Sequence, residues 1–168
     1  RSLAGQRILL LGAGGAARGV IAPLLAAQPA SLLIANRSAD KAVALARSFS
    51  DIAASTETTA GPRVGAANFA ETAGKSFDVV INATSASLSG ESLPLPSGIF
   101  AAGSLAYDMM YGRGDTPFMV LARQQGAAHC ADGLGMLVEQ AAEAFFIWRG
   151  VRPETTAVLA ELRTALSA

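Results

Sequence analysis

The glycines of a phosphate-binding turn lie near the start of the chain, between an apolar run and an Ala/Leu-rich segment. They occur in the order Gly12-Ala-Gly14-Gly15-Ala16-Ala17, the G-x-G-x-x-A form of the dinucleotide-binding fingerprint. Gly12 permits the tight turn, Gly14 lets the backbone approach a pyrophosphate, and Ala17 is small enough for close helix–strand packing. The unpaired N–H groups and the positive end of the helix dipole would bind the anion. The alternative is a turn that only reverses the chain, but the flanking elements favour binding.

A basic cluster follows the second apolar run, where nucleotide-binding sheets contact the ribose. An NAD-specific site has Asp or Glu there, about 20 residues after the glycines, to bond the ribose 2′-OH. This sequence has Asn36-Arg37-Ser38, with Lys41 one turn into the next helix. Because a guanidinium binds a 2′-phosphate bidentately and stacks on an adenine face, the cluster predicts NADP as the cofactor. The alternative is that Arg37 is a solvated surface residue and Ser38 a plain helix N-cap.

Apolar runs of strand length alternate with helical segments, and this rhythm predicts βαβ units and a parallel sheet. The fold class is therefore α/β: a doubly wound parallel β-sheet of the NAD(P)-binding Rossmann type with C-terminal helices. Residues 50–62 and 87–98 are rich in small and turn-forming residues and are expected to be loops. The expected strands are residues 8–12, 31–35, 77–82, 105–109 and 127–131, and the expected helices are 15–28, 40–49, 117–126, 134–148 and 153–166.

Composition excludes several classes of function. Thirteen basic residues balance 13 acidic ones, so no net charge attracts nucleic acid, and no apolar run has the length of a membrane span. The single cysteine, Cys130, excludes an internal disulfide and fits a reducing, cytoplasmic compartment. No cluster of His, Cys or Asp has metal-ligand spacing. The chain begins at Arg1 and enters a strand almost at once, which is typical of the middle of a longer chain.

Short blocks spread over nearly the whole chain carry a family resemblance. Together they resemble the C-terminal part of the shikimate dehydrogenases, NADP enzymes that interconvert 3-dehydroshikimate and shikimate. The last block is the most specific. The blocks are Gly12-Ala-Gly-Gly-Ala-Ala-Arg18, Asn36-Arg37-Ser38, Asn82-Ala-Thr84-Ser85, Tyr107-Asp-Met109-Met-Tyr111, Thr116-Pro117-Phe118 and Asp132-Gly133-Leu-Gly135-Met136-Leu-Val-Glu-Gln140.

The resemblance implies which residues line the cofactor site. Thr84 and Ser85 follow the strand at 77–82, where the crevice of a doubly wound sheet opens. Met109 ends the next expected strand, and its polarisable thioether suits a planar ring; the alternative is ordinary core filling. The implied residues are Gly12, Ala13, Gly14, Gly15, Ala16, Asn36, Arg37, Ser38 and Lys41 for the adenosine-phosphate half, and Thr84, Ser85, Met109 and Gly133 for the nicotinamide half.

Two further positions resemble substrate-contacting residues of the family, Tyr111 and Gln140. Tyr111 could instead pack as a loop aromatic on the rim of the site. Gln140 lies in an otherwise apolar helix, and an amide on the inner face would need partners such as substrate hydroxyls. On the outer face the same amide would simply be solvated.

Three other residues invite chemistry but are given structural roles. His129 is the only histidine, and no carboxylate motif orients it as a general acid or base. Cys130 is expected to behave as a small buried hydrophobe. Asp108 could act on a proton, but the anchoring of a turn by hydrogen bonds is the favoured interpretation.

The proton donor that ketone reduction requires is missing from this chain. Members of the family use a lysine and an aspartate of an N-terminal domain, and nothing here resembles the lysine segment. We therefore expect no catalytic residue in this chain and cofactor binding without efficient turnover. Residues 1–132 are expected to form the NADP-binding domain and 133–168 to pack on the absent substrate domain. The small-molecule substrate would then bind through that domain, and exposed apolar faces would favour self-association.

The sequence departs from the family pattern at one loop and leaves two other functions open. Gly114-Asp115 stands where the family often has Gly-Lys, which removes a positive charge near the crevice. Within enzymes, the rival is a quinate/shikimate dehydrogenase with a looser substrate choice. From another class, the rival is an NADP-binding module without catalysis.

Overall fold

Six parallel strands form the centre of the protein. The computed structural model describes residues 1–49, 63–86 and 92–167. The strands are β1 (Arg7–Leu11), β2 (Ser31–Asn36), β3 (Arg63–Asn68), β4 (Phe77–Asn82), β5 (Phe100–Asp108) and β6 (His129–Ala131). The helices are α1 (Gly15–Ala26), α2 (Ala39–Arg47), α3 (Pro117–Gln124), α4 (Leu134–Arg149) and α5 (Thr156–Ser167), with a 3₁₀ turn at Ala70–Thr72.

The strand order confirms the predicted doubly wound α/β fold. The sheet runs β3-β2-β1-β4-β5-β6, and all of its pairs are parallel. β1 therefore pairs with β2 on one side and β4 on the other, with Leu11 opposite both Ala35 and Asn82. The order reverses between β1 and β4, and a crevice opens beyond their carboxyl ends in sheets of this topology.

Alternation along β1 divides the core between the two faces of the sheet. Ile8 and Leu10 pack in one buried cluster with residues of α1 and α2, whereas Leu9 and Leu11 pack in the other with Phe118 of α3. These four side chains are fully buried, unlike that of Arg7 at the start of β1, and each contributes about 1.5–3 kcal/mol by leaving water. Helices on both faces thus hold the ends of β1, β2 and β4 in place.

Two strands differ from the sequence expectation. β3, Arg-Val-Gly-Ala-Ala-Asn, was missed because it lies at the sheet edge and has one β-branched residue. β5 begins at Phe100 rather than at 105. Its first half is irregular, because the pairing register with β4 shifts between Phe77 and Val79 and Gly103 has a φ of +72°. This irregular half was not predicted as strand. The expected loop at 50–62 lies outside the described residues, as do residues 87–91 of the second loop.

The two C-terminal helices form a layer that is apolar on the outside. Only Leu134, Val138 and Ala142 of α4 are buried, and no residue of α5 is. α4 ends at Gly150, which adopts the left-handed conformation (φ 70°) that terminates helices. Trp148 is 81% exposed, and large parts of the Phe145, Phe146 and Ile147 side chains are exposed as well. No described helix has the length and hydrophobicity needed to cross a membrane. The expected boundary between residues 132 and 133 stays a prediction.

Candidate functional site

The glycine turn lies between the ends of three strands. The Gly12 amide donates to the Ala35 carbonyl at the end of β2 (2.7 Å), and its φ is +108°. A Cβ on Gly12 would lie 3.0 Å from the Ala83 carbonyl oxygen and 3.2 Å from Cγ2 of Thr84, just beyond β4. Both the backbone conformation and the space therefore require glycine here.

The N-terminus of α1 opens onto this turn without a protein cap. Gly14 is the N-cap, no side chain caps the helix, and no acidic residue lies in its first turn. A Cβ on Gly14 or Gly15 would meet nothing within 4 Å in the described structure, so the approach is open. Ala13 packs on the core, Ala16 is exposed, and Ala17 is fully buried, as close helix–strand packing requires. The first N–H groups of α1 can bind an anion.

The end of β2 presents the predicted basic cluster. The Asn36 amide donates to the Ser38 carbonyl (3.1 Å), and Arg37 and Lys41 are exposed. Ser38 is the N-cap of α2 by position, but its side chain makes no capping hydrogen bond to α2. The alternative interpretation of Ser38 as a helix N-cap is therefore confirmed for its position and wrong for a side-chain hydrogen bond. The Asn36 amide makes the hydrogen bond of this turn.

A cavity of about 380 Å³ brings the β2 and β4 ends together. Asn36 and Arg37 line it together with Thr84 and Ser85. Phe69 and Leu93, which the sequence analysis missed, add buried apolar wall. Phe69 directly follows β3. Because β3 was not predicted, no pattern in the sequence indicated that Phe69 lies at this cavity. A cavity with apolar walls and a cationic rim suits a planar base that carries a phosphate.

A buried polar network fixes the loop that carries Thr84. Asn82 donates through Nδ2 to Oδ1 of Asp108 (3.0 Å), which links β4 to β5. Its Oδ1 accepts from the Thr84 amide (3.1 Å) and from the Thr84 hydroxyl (2.7 Å). Asn82 and Asp108 are fully buried, so these bonds are required to offset desolvation.

Asp108 also anchors the next loop, as predicted. Its carboxylate accepts from the Met110 amide (3.0 Å) and from the Thr116 hydroxyl (2.6 Å). The same Thr116 oxygen accepts from the Met119 amide (3.2 Å) and thereby caps α3. One carboxylate thus joins the ends of β4 and β5 to the start of α3.

Met109 and Gly133 meet directly. A Cβ on Gly133 would lie 2.1 Å from the Met109 carbonyl oxygen, so no side chain fits. The Gly133 amide donates to the Met110 carbonyl (3.0 Å). Met109 is 7% exposed and lines an apolar cavity of about 340 Å³ with Tyr107 and Met136. The core-filling interpretation of Met109 therefore accounts for its side chain in this structure, and its role at a cofactor stays a prediction.

The two residues expected to contact substrate lie on the surface. Tyr111 is 43% exposed, and Gln140 is exposed on α4, away from its buried stripe. Neither belongs to the lining of the cavities at Arg37 or at Met109. The described residues give Gln140 an outward orientation, so its predicted partner would have to come from outside them.

Three further titratable residues, His129, Cys130 and Tyr107, are not among the residues that line the cavity at Arg37. His129 is exposed on the edge strand β6. Burial raises the pKa of the Cys130 thiol, whose Sγ lies 3.9 Å from the Met119 carbonyl oxygen. Burial and the carboxylates of Asp132 and Asp108 raise the pKa of Tyr107. Among the described residues, no three His, Cys, Asp or Glu side chains are placed to hold a metal ion.

Family comparisons agree with this geometry. A family model described as "Shikimate / quinate 5-dehydrogenase" matches residues 1–89, more than half of the chain. The chain belongs to this family. A second model, described as "Shikimate 5'-dehydrogenase C-terminal domain", matches residues 133–163, which confirms the resemblance in the block that begins at Asp132.

Comparisons with individual relatives show what share of each relative's length this chain matches. The "Shikimate dehydrogenase (NADP(+))" of Dechloromonas aromatica is 75% identical over 167 residues, which are 99% of this chain and 58% of that protein. The crystal structure of an Ael1 enzyme from Pseudomonas putida is 49% identical with a TM-score of 0.83, covering 96% of this chain and 56% of that one. A shikimate dehydrogenase crystallised in complex with NADP⁺ is 26% identical with a TM-score of 0.77, covering 98% and 56%. The chain thus spans a little over half the length of these relatives.

Proposed function

We propose that this chain is the NADP-binding portion of a shikimate dehydrogenase. The whole enzyme would catalyse the reversible, NADPH-dependent reduction of 3-dehydroshikimate to shikimate in aromatic amino-acid (chorismate) biosynthesis. The cavity shared by Asn36, Arg37, Thr84 and Ser85 carries this proposal, because it lies at the carboxyl edge of the sheet beside the glycine turn. The name of the D. aromatica relative supports the cofactor.

The adenosine-phosphate half would be held by two elements. The uncapped N-terminus of α1, residues 13–16, offers N–H groups to the pyrophosphate. At the end of β2, Arg37 would bind the 2′-phosphate and stack on the adenine, with Lys41 as a second cation. The Ser38 hydroxyl, which does not cap α2, would donate a further hydrogen bond to the 2′-phosphate. A 2′-phosphate adds negative charge that these groups favour, so NADP is selected over NAD.

The nicotinamide half would extend toward Thr84, Ser85, Met109 and Gly133. The buried Asn82–Asp108 pair supports this placement, because it orders the loops after β4 and β5 on one side of the crevice. The nicotinamide, when bound, supplies or accepts a hydride, and these residues would exclude water and set its position. Tyr111 and Gln140 would contact the substrate once the rest of the enzyme is in place.

The chain alone would bind the cofactor without efficient turnover. Ketone reduction needs a proton donor, and the resemblance assigns that role to a lysine and an aspartate of a substrate domain outside these 168 residues. Residues 1–132 would form the cofactor domain, and 133–168 would pack on the substrate domain. A quinate/shikimate dehydrogenase is the second candidate, since the matching family model is described for both substrates. The cytoplasm is the proposed location, because the single cysteine fits a reducing compartment.

Self-association of the isolated chain is a further part of the proposal. Ile147 is 71% exposed, Trp148 81% and Val151 64%, and the three residues are close in sequence at the end of α4. Exposed apolar patches of this kind mark interfaces. The substrate domain would cover the surface in the whole enzyme, and a second copy would cover it in the isolated chain.

Calorimetric titration with NADP⁺ and NAD⁺ at one salt concentration tests the proposed function. We expect NADP⁺ to bind at least about tenfold more tightly, a difference of roughly 1.4 kcal/mol. Equal binding would move the quinate-type alternative ahead. Absence of binding by both would contradict a functional cofactor site in this chain.

A further inference from the structure

The C-terminal helix α5 is attached to the sheet through a buried carboxylate. The Asp132 side chain is 3% exposed, and the Arg163 guanidinium of α5 reaches it from the surface. Nη1 and Nη2 of Arg163 donate to the two different oxygens of Asp132, a bidentate arrangement. This ion pair raises the pKa of Arg163. Planar, bidentate pairing fixes both the distance and the orientation of the helix.

The other polar attachments of the C-terminal segment are solvent-exposed. Arg152 pairs with Glu139 and Glu143, and Thr155 donates to Glu139. The side chains of Arg152 and both glutamates are about half exposed, and such pairs contribute little to a fixed geometry. Since α5 has no buried residue, the Asp132–Arg163 pair is the one polar attachment of α5, among the described residues, that ends on a buried group: the Asp132 side chain is 3% exposed and the Arg163 side chain 48%.

Asp132 lies next to a closely packed contact between the start of α4 and the end of β5. Oδ1 of Asp132 accepts from the Leu134 amide and thereby holds the first turn of α4 (3.2 Å). The intervening residue, Gly133, touches the Met109 carbonyl so closely that a Cβ would be 2.1 Å from its oxygen. The Gly133 amide is bonded to the Met110 carbonyl. A displacement of Asp132 would therefore move the contact between Gly133 and the end of β5.

We propose that Arg163 is a positioning residue: it holds Asp132, and through Gly133 it sets the nicotinamide-side wall of the cofactor site. This inference rests on the proposed function. The adenosine side is built from other elements, the end of β2 at Asn36 and Arg37 and the N-terminus of α1. Loss of the Arg163 anchor thus weakens contacts with the nicotinamide half and leaves the adenosine half intact.

Two probes of different length separate the halves. Adenosine 2′,5′-bisphosphate carries the 2′-phosphate and adenosine but lacks the nicotinamide, whereas NADP⁺ carries both. In the full 168-residue chain, Arg163→Met should weaken NADP⁺ binding about fivefold, a size typical of indirect coupling, and leave the affinity for the bisphosphate unchanged within twofold. Arg163→Lys, which keeps the charge but not the bidentate geometry, should lie between Arg163→Met and the unmodified chain.

Arg152→Met is the matched control, because it removes an exposed arginine that pairs with α4 and does not contact Asp132. It should leave both affinities unchanged. Equal weakening of the two probes by Arg163→Met, or no weakening of NADP⁺, would overturn the positioning role while the proposed function stands. If Arg163→Met does not fold by circular dichroism, Arg163→Lys decides in the same way. Failure of the unmodified chain to bind either probe would overturn the proposed function itself.

Discussion

At the scale of single residues, Gly133 is required for lack of space rather than for its backbone freedom. Its φ is −79°, an ordinary value, but a Cβ would overlap the Met109 carbonyl. We predict that Gly133→Ala lowers the free energy of unfolding by about 2–3 kcal/mol, as overpacking does. Urea denaturation measures the change.

Gly135 provides the control for this prediction. It lies in α4, and a Cβ there would meet nothing within 4 Å in the described structure. Gly135→Ala should stabilise the chain by up to about 0.5 kcal/mol, because alanine has the higher helix propensity and Gly135 lies in the first turn of α4, where the effect is smaller than in a helix interior. Equal effects of the two substitutions would show that the close contact at Gly133 is absent in solution.

Residue types and their spacing placed several residues on the adenosine side of the candidate site, and their binding roles stay predictions. Gly12 and Arg37 were found because a motif fixes their spacing, and the structure places them at adjacent strand ends. Phe69 and Leu93 were not found, because an apolar wall has no motif and depends on which strands are neighbours. For Gln140 the sequence left two orientations open, since the partner surface is not part of the described chain.

At the scale of elements, Thr116 joins a helix to the sheet. Its hydroxyl donates to Asp108 and accepts from the Met119 amide, so it anchors β5 and caps α3 at once. We predict that Thr116→Val costs about 2–4 kcal/mol of unfolding free energy, the sum of a lost cap and a lost bond to a buried carboxylate. Thermal or urea unfolding measures it.

Thr155→Val is the comparison, because the Thr155 hydroxyl donates to the exposed Glu139. It should change the unfolding free energy by less than about 0.5 kcal/mol, as surface substitutions do. A cost at Thr116 no larger than at Thr155 would contradict the anchoring role of the Asp108 network.

Elements with strong local signals were predicted well, and the others depended on tertiary context. β4, Phe77–Asn82, was predicted at its observed bounds, because its short run of β-branched residues, Val79-Val-Ile81, is typical of a buried strand in a sequence of alternating strands and helices. β3 contains Gly65, Ala66 and Ala67 and is held by pairing with β2. Its signal is therefore non-local, and the same holds for the irregular first half of β5.

At the scale of the whole molecule, the exposed end of α4 sets the behaviour in solution. We predict that the isolated chain self-associates at concentrations of about 10–100 µM, a weak association for an interface of this kind, through Ile147, Trp148 and Val151. Light scattering would then give a mass above the 17.0 kDa of one chain. The double substitution Ile147→Ser and Trp148→Ser should restore the single-chain mass.

Val120→Ser is the control for that experiment, because Val120 is exposed on α3, far along the chain from the α4 patch. It should not change the measured mass. A monodisperse single chain before any substitution would contradict the self-association proposal and leave the cofactor site untouched.

The proposed function depends on the selection of NADP over NAD by Arg37, and one titration series measures that selection. NADP⁺ and NAD⁺ are titrated into the unmodified chain, Arg37→Ala, and Arg47→Ala, which removes an exposed arginine at the far end of the same helix α2. We predict that Arg37→Ala reduces the preference for NADP⁺ by about tenfold, roughly 1.4 kcal/mol, while NAD⁺ affinity changes little and Arg47→Ala keeps the preference. An unchanged preference for NADP⁺ over NAD⁺ in Arg37→Ala would show that Arg37 does not select the cofactor.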